Sequence, residues 1–347
     1  MKNLLLILGN GFTIDYISSM GKTDIIDVKN LFHKGHTVKF PDSGNPGFLS
    51  YKHCPSLWLL GARPNKENSE SMAIIEEIIT CSNMLFEYLQ LASADSARLK
   101  LIETDNQSIY IKAYSELIAY LKYLFIEYNN KISDEEIRAF LNQQTWGWTK
   151  FFKNMCDNYD KINIVTYNYD IWLERILNVL EIEYSIIGFG MESKVNIIKP
   201  HGSISFIPKS GKNVLYNINY AIDADGTDID QLSVSYDELE QYDKSFLIPP
   251  AGDSSRHLSN TWAKKLRKSA LAAVKDAKDL DDVYICGMSY WHVDRKELDE
   301  LLINLNQTVN LALINPNPPK DLNAVLVSLF KNYMVFTSSD IFEEAIQ

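Results

Sequence analysis

The chain has 347 residues, 46% of them hydrophobic and 23% charged, with a formal net charge of −11. That is enough apolar content to bury the core of one large α/β domain or two smaller ones without covalent staples. The acidic balance, with no long Lys/Arg run, excludes the electrostatic footprint of a general nucleic-acid binder, and no direct nucleic-acid contact is expected.

Residues 3–8, NLLLIL, run straight into Gly9-Asn10-Gly11. This is the pattern of a buried parallel strand entering a tight turn; the small-residue cleavage site of a secretory leader is missing. Residues 70–92 and 109–128 carry apolar side chains at helical spacing, and Ser133 with Glu136 forms a capping box for a third helix toward Leu141. They predict a helical module over 66–150, inserted into a sheet domain made of 1–65 and 151–347. Further strand candidates follow at 162–167, 195–199, 282–288, 309–315 and 333–339, with helical patterns at 171–181 and 259–278. Strands alternating with helices predict an α/β fold, a Rossmann-like, doubly wound and mostly parallel sheet. Residues 207–247 interrupt it with a polar, acidic stretch whose alternating centre fits a hairpin, with turn chemistry at Asp223–Gly226.

The four cysteines, Cys54, Cys81, Cys156 and Cys286, form no C-x-x-C pair, which argues against a disulfide framework and a cysteine-based zinc site and fits a reducing cytoplasm. No apolar stretch reaches the length of a membrane span, so no membrane partner is expected.

Open parallel sheets bind ligands beyond the carboxyl ends of their strands, so the turns after the strand candidates are the places to search. Gly9-Asn10-Gly11-Phe12-Thr13 is either a plain tight turn or a close approach to phosphate oxygens at a helix N-terminus. Asn168 and Asp170 are both preferred helix-capping types, and one cap leaves the other group spare. His201, between a proline and a glycine at a strand end, reads as a structural histidine or as a base. Gly287-Met288-Ser289 offers another close-approach turn, and Asn315 and Asn317, among prolines, form a polar loop.

Taken in order, GNGFT (9–13), TYNYD (166–170), HGS (201–203), GMS (287–289) and INPNP (314–318) resemble the motif series of the sirtuin (SIR2) superfamily of NAD-consuming enzymes. That series is a Gly-Ala-Gly-x-Ser turn, a Gln-Asn-x-Asp stretch, a His-Gly, a Gly-x-Ser and an Asn-containing loop. The match covers the strand ends of nearly the whole chain outside the helical module. The GNGF opening, WLE at 172–174 and the segment 246–266 are similar to SIR2-like proteins of bacterial antiphage defence and to abortive-infection proteins of the AbiH type.

The resemblance implies NAD+ as substrate. Asn168 would orient a water and the nicotinamide ribose, Asp170 would hold the nicotinamide carboxamide, and His201 would act as general base through the ribose hydroxyls. Gly9, Gly11, Thr13, Gly287 and Ser289 would line the pyrophosphate, with Asn315 and Asn317 near the adenosine. Asn10, Phe12, Asp15 and Tyr169 complete the expected cofactor-binding set. Breaking the nicotinamide–ribose bond builds positive charge on the sugar, which calls for oriented amide and carboxylate groups and a base.

The chain also departs from that family. The position of the sirtuin zinc module is taken by the cysteine-free acidic segment 207–247, so no metal is expected and water becomes the expected acceptor of ADP-ribose. Asn10 stands where sirtuins have Ala. The sirtuin Pro-Asp-Phe-Arg segment is absent, with DSGNPGFLSYK at 42–52 as its candidate substitute. The implied activity is NAD+ glycohydrolysis by a toxic effector of antiphage abortive infection. A protein deacylase or ADP-ribosyltransferase on the same fold, and a non-catalytic NAD or ADP-ribose sensor, are the alternatives. An uncontrolled NADase would kill its host, so control by homo-oligomerisation or by a regulatory partner encoded nearby is expected, with 66–150 and 207–247 as candidate surfaces.

Overall fold

The computed structural model describes residues 2–93, 108–211, 216, 218, 227–249, 261–290 and 295–344. The expected turn at Asp223–Gly226 and residues 250–260 of the segment 246–266 lie outside them. The elements are, in chain order, β1 (Asn3–Leu8), α1 (Asn10–Ser19), α2 (Pro55–Leu59), α3 (Asn68–Ser93), α4 (Ile109–Asn130), α5 (Asp134–Gln143) and α6 (Gly147–Asn158). Then come β2 (Lys161–Thr166), α7 (Trp172–Val179), β3 (Ser185–Ile186), β4 (Val195–Ile198), β5 (Phe206–Pro208), β6 (Leu232–Val234) and α8 (Thr261–Lys275). The chain closes with β7 (Asp282–Cys286), α9 (Arg295–Asn304), β8 (Asn310–Ile314), α10 (Lys320–Leu329), β9 (Asn332–Phe336) and α11 (Ile341–Glu344). No helix among the described residues is long and apolar enough to cross a membrane.

Two compact units share the chain: Met1–Val28 with Tyr128–Ser203 and Trp262–Gln347, and Lys29–Glu127 with Ile204–Thr261. The helix α5, expected in an insert over 66–150, thus falls in the first unit, and the second unit already begins at Lys29.

The first unit is built on a seven-stranded sheet in the order β3-β4-β2-β1-β7-β8-β9. Every pair in it is parallel. Setting the two-residue β3 aside, the strands run third-second-first-fourth-fifth-sixth, which is the doubly wound Rossmann-like arrangement with its reversal between β1 and β7. The reason lies in the strand sequences. Leu4 to Leu8 are all buried, and a strand apolar on both faces must be covered on both. Leu5, Ile7, Val165, Val283, Ile285 and Leu313 face one side and pack with Val274 of α8, Leu298 of α9 and Leu326 of α10. The register puts Leu6 beside Ile164 and Tyr284, in the alternate set. Phe151 of α6 meets the Tyr284 ring at 5.4 Å, and Phe12 of α1 stands edge-on to Trp148 at 5.3 Å. Each such fully buried side chain contributes about 1.5–3 kcal/mol.

The capping box at Ser133 forms as expected: its side chain accepts from the Glu136 N–H, and Glu136 reaches back to the Ser133 N–H.

In the second unit, the buried Glu116 of α4 accepts from the N–H groups of Ser56 (3.2 Å) and Leu57 (2.8 Å). These are N-terminal donors of α2 that have no partner inside the helix. Phe40, Phe48, Tyr123 and Tyr216 form an aromatic cluster. In the acidic segment, β5 and β6 pair antiparallel, Phe206 opposite Val234. The hairpin ladder therefore uses the residues that flank the alternating centre, most of which is outside the described residues.

Candidate functional site

The turn between β2 and α7 contains Tyr167-Asn168-Tyr169-Asp170, and its two polar groups take different tasks. The Asp170 Oδ1 accepts from the Trp172 N–H at 3.2 Å, a side-chain-to-backbone bond that serves the entry of α7. Its Oδ2 accepts from the Thr13 hydroxyl at 2.8 Å. Asn168 donates through Nδ2 to the Gly9 carbonyl and to Thr13 Oγ1, both at 3.0 Å. A carbonyl only accepts, so the amide nitrogen must face Gly9 and the amide orientation follows from its neighbours. The Asn168 Oδ1 makes no hydrogen bond among the described residues. The N-cap position itself is Ile171, which has no side-chain cap; Asp170, one residue before it, supports the helix entry, and Asn168 is the spare group.

Behind the turn lies a fully buried ion pair. Lys199, which follows β4, donates to Glu174 Oε1 of α7 at 2.7 Å and to the Asp170 carbonyl at 2.6 Å. The Lys199 and Glu174 side chains are 1% and 0% exposed, and the Glu174 Oε2 has no hydrogen-bond partner among the described residues. Burial pushes the Asp170 carboxyl up to about 6, against the lowering effects of the Lys199 charge and the Thr13 hydroxyl. The Glu174 carboxylate, which pairs with the same cation, adds a smaller upward push.

The glycine turn after β1 is held by the protein's own backbone. The Gly9 N–H donates to the Cys286 carbonyl (2.9 Å), the Gly11 N–H to the Gly287 carbonyl (3.0 Å) and the Phe12 N–H to the Gly9 carbonyl (3.0 Å). A Cβ on Gly11 would lie 2.3 Å from the Gly287 Cα, and Gly287 itself has φ +63°. These glycines let the turns after β1 and β7 touch at the point where the sheet order reverses. The amides of Gly9 and Gly11, expected to face a pyrophosphate, are already engaged.

His201 sits in the turn after Lys199, where the Gly202 N–H bonds back to the Lys199 carbonyl at 3.0 Å. The residue is 4% exposed. Its ring stands edge-on to Tyr167, centroids 4.8 Å apart, and its Nε2 lies 3.0 Å from Oε2 of Glu297 in α9. Arg267 of α8 approaches the same carboxylate oxygen at 3.1 Å through Nη2. That contact is an ion pair rather than an aligned hydrogen bond, since Arg267 Nε and Nη2 have no hydrogen-bond partner among the described residues. The next residue pair in this turn closes the link: the Ser203 hydroxyl bonds to the Tyr169 carbonyl at 3.3 Å.

The five sequence motifs are therefore joined. Asn168 and Thr13 tie the second motif to the first, and Lys199, Tyr167 and Ser203 tie it to the third. Gly11 meets the fourth, and the Asn315 amide reaches the Met288 carbonyl at 3.4 Å. Within them, Phe12 is a core residue among Trp146, Trp148 and Phe152. Asp15 accepts from the Trp146 indole (2.9 Å) and the Ser339 hydroxyl (3.0 Å), its carboxyl raised by burial. Asn10 is exposed and donates to the Val28 carbonyl at 2.9 Å. Tyr169 is buried, whereas Ser289 and Asn317 are exposed. The segment 42–52 lies in the second unit.

Sequence reasoning missed Lys199, Glu174, Glu297 and Arg267. The first two lay in view, one beside the Pro-His-Gly turn and one inside WLE. The last two carry no local signal. Among the described residues, no group of three His, Cys, Asp or Glu is placed to hold a metal ion. Neither a scan against protein-family models nor a search of the curated proteins returns a match for this chain.

Proposed function

We propose that the protein is an NAD+ glycohydrolase of the SIR2-like kind, acting as a toxic effector in bacterial antiphage defence. The observation that carries the proposal is the convergence of Asn168 and His201 on connected turns at the carboxyl edge of a doubly wound sheet. Each is fixed through one polar atom, and each has another with no hydrogen bond among the described residues. In the proposed reaction the ribose C1′–N bond breaks and its electron pair neutralises the nicotinamide ring. A water oxygen bonds to C1′, and one water proton passes to a base. Asn168 Oδ1 accepts from and orients that water, and His201 takes the proton through the ribose hydroxyls. Asp170 acts from below, holding Thr13 and the entry of α7.

The test is nicotinamide release from NAD+ by the purified chain with no acyl acceptor, alongside cellular NAD+ during phage challenge. The expected result is release that falls at least about 100-fold in Asn168→Ala and in His201→Ala. Release that requires an acyl-lysine peptide would replace hydrolysis by deacylation. NAD+ binding with unchanged NAD+ levels in triggered cells would make the protein a sensor.

A further inference from the structure

Glu297 is partly buried against His201 and has no part in any motif. A carboxylate has no proton to give at neutral pH, so a 3.0 Å contact between its Oε2 and His201 Nε2 puts the imidazole proton on Nε2. That leaves Nδ1, which makes no hydrogen bond among the described residues. Arg267 keeps Glu297 in place from the neighbouring helix, 3.1 Å from the same oxygen, and the side chains of His201, Glu297 and Arg267 are 5%, 11% and 14% exposed. The Tyr167 ring closes another side of the imidazole. A charge-assisted hydrogen bond in so dry a place fixes both tautomer and ring orientation.

We propose that Glu297 is a positioning residue for His201: held by Arg267, it fixes the imidazole proton on Nε2 and so assigns Nδ1 as the proton-accepting atom. Its catalytic consequence rests on the glycohydrolase function proposed above; its tautomer consequence does not. The arrangement follows the general logic of a base oriented by a third group. It predicts that the helix α9, far along the chain from every residue of the third motif, is required to make that motif work.

Two measurements test it. With 15N-labelled histidine, His201 is assigned by its loss in His201→Gln. The wild type is expected to show a slowly exchanging Nε2–H resonance from His201 that disappears in Glu297→Ala. A proton on Nδ1, or the same resonance in both proteins, would overturn the proposal. In the nicotinamide-release assay, Glu297→Ala is expected to lower kcat about 10–100-fold with KM within about 3-fold. Glu297→Gln keeps an acceptor for Nε2–H and is expected to recover most of kcat. A Gln variant as slow as the Ala variant, or a loss confined to KM, would overturn the positioning role. A wild type that releases no nicotinamide would sink the glycohydrolase function while the resonance still decides the tautomer.

Discussion

Replacing Asp170 by Asn asks whether desolvation or the neighbouring cation controls this carboxylate. The carboxyl is pushed from 3.8 in the open chain to about 6 when folded. A group whose folded pKa is raised adds stability that is complete below the unfolded pKa and is lost as pH rises through the folded pKa. For Asp170 the window is therefore roughly pH 4 to 6, and the limiting difference, about two pKa units, is worth about 3 kcal/mol. Between about pH 7.5 and 4.5 the wild type should gain about 2 kcal/mol relative to Asp170→Asn, which cannot titrate there.

Comparing the two proteins cancels the other titrating groups. Asn also removes the acceptor of the Thr13 hydroxyl, a cost of about 1 kcal/mol that does not vary with pH. The assay is urea denaturation of both proteins at several pH values, reading the difference in unfolding free energy. Parallel curves would refute the dominance of desolvation. A difference of the opposite sign would mean that Lys199 and Thr13 together hold the carboxylate below its ordinary pKa.

Two further predictions concern the scaffold. Gly11→Ala is expected to destabilise the protein by about 3 kcal/mol or more, because its Cβ would fall on the Gly287 backbone. Gly190→Ala, whose Cβ meets nothing within 4 Å, should stay within about 0.5 kcal/mol of wild type in the same thermal or chemical melt. Lys199→Met should cost about 3–5 kcal/mol by stranding the buried Glu174, and Lys199→Met combined with Glu174→Leu should be more stable than Lys199→Met alone. A double variant no better than the single would show that Lys199 matters mainly through the Asp170 carbonyl.

The sheet was legible wherever an apolar run ended in a turn residue. Leu4 to Leu8 before Gly9, and Ile162 to Val165 before Asn168, pointed to buried parallel strands because runs of that length, rich in β-branched or apolar residues and closed by turn residues, are shorter than ordinary helices. The two-residue β3 had no such signal, and α5 was assigned to the insert because its capping box and helical pattern do not say which of the two units it packs in. In the site, local chemistry marked the turn residues but not their partners. The pairing of the Gly11 N–H with the Gly287 carbonyl, of Lys199 with Glu174, and of His201 with Glu297 joins residues that only the strand order brings together. TYNYD showed one polar group too many; which of the two was spare depended on Thr13 and Gly9, more than 150 residues away.

The unassigned polar atoms have a common chemical character. Within the linked turns Asn168 Oδ1 is a lone-pair acceptor and so, in the proposed tautomer, is His201 Nδ1, while the donors of Gly9, Gly11, Phe12, Thr13 and Lys199 are bonded within the protein. The immediate surround of these two acceptors is a poor place for a phosphate, which needs N–H donors such as those of Arg267 beside Glu297. It is a good place for hydroxyl protons and for a sugar that gains positive charge as its glycosidic bond breaks. In the proposed reaction this divides the substrate: the nicotinamide ribose belongs over Asn168 and His201. The diphosphate would have to draw on donors other than the Gly9 and Gly11 amides, and the exposed Ser289 and Asn317 at the ends of β7 and β8 are the motif residues left for that half. Ser289→Ala should accordingly raise KM for NAD+ and leave kcat nearly unchanged, the opposite of the split expected at Glu297. A Ser289→Ala variant that lost kcat at unchanged KM would place that residue with the reacting sugar and break the division.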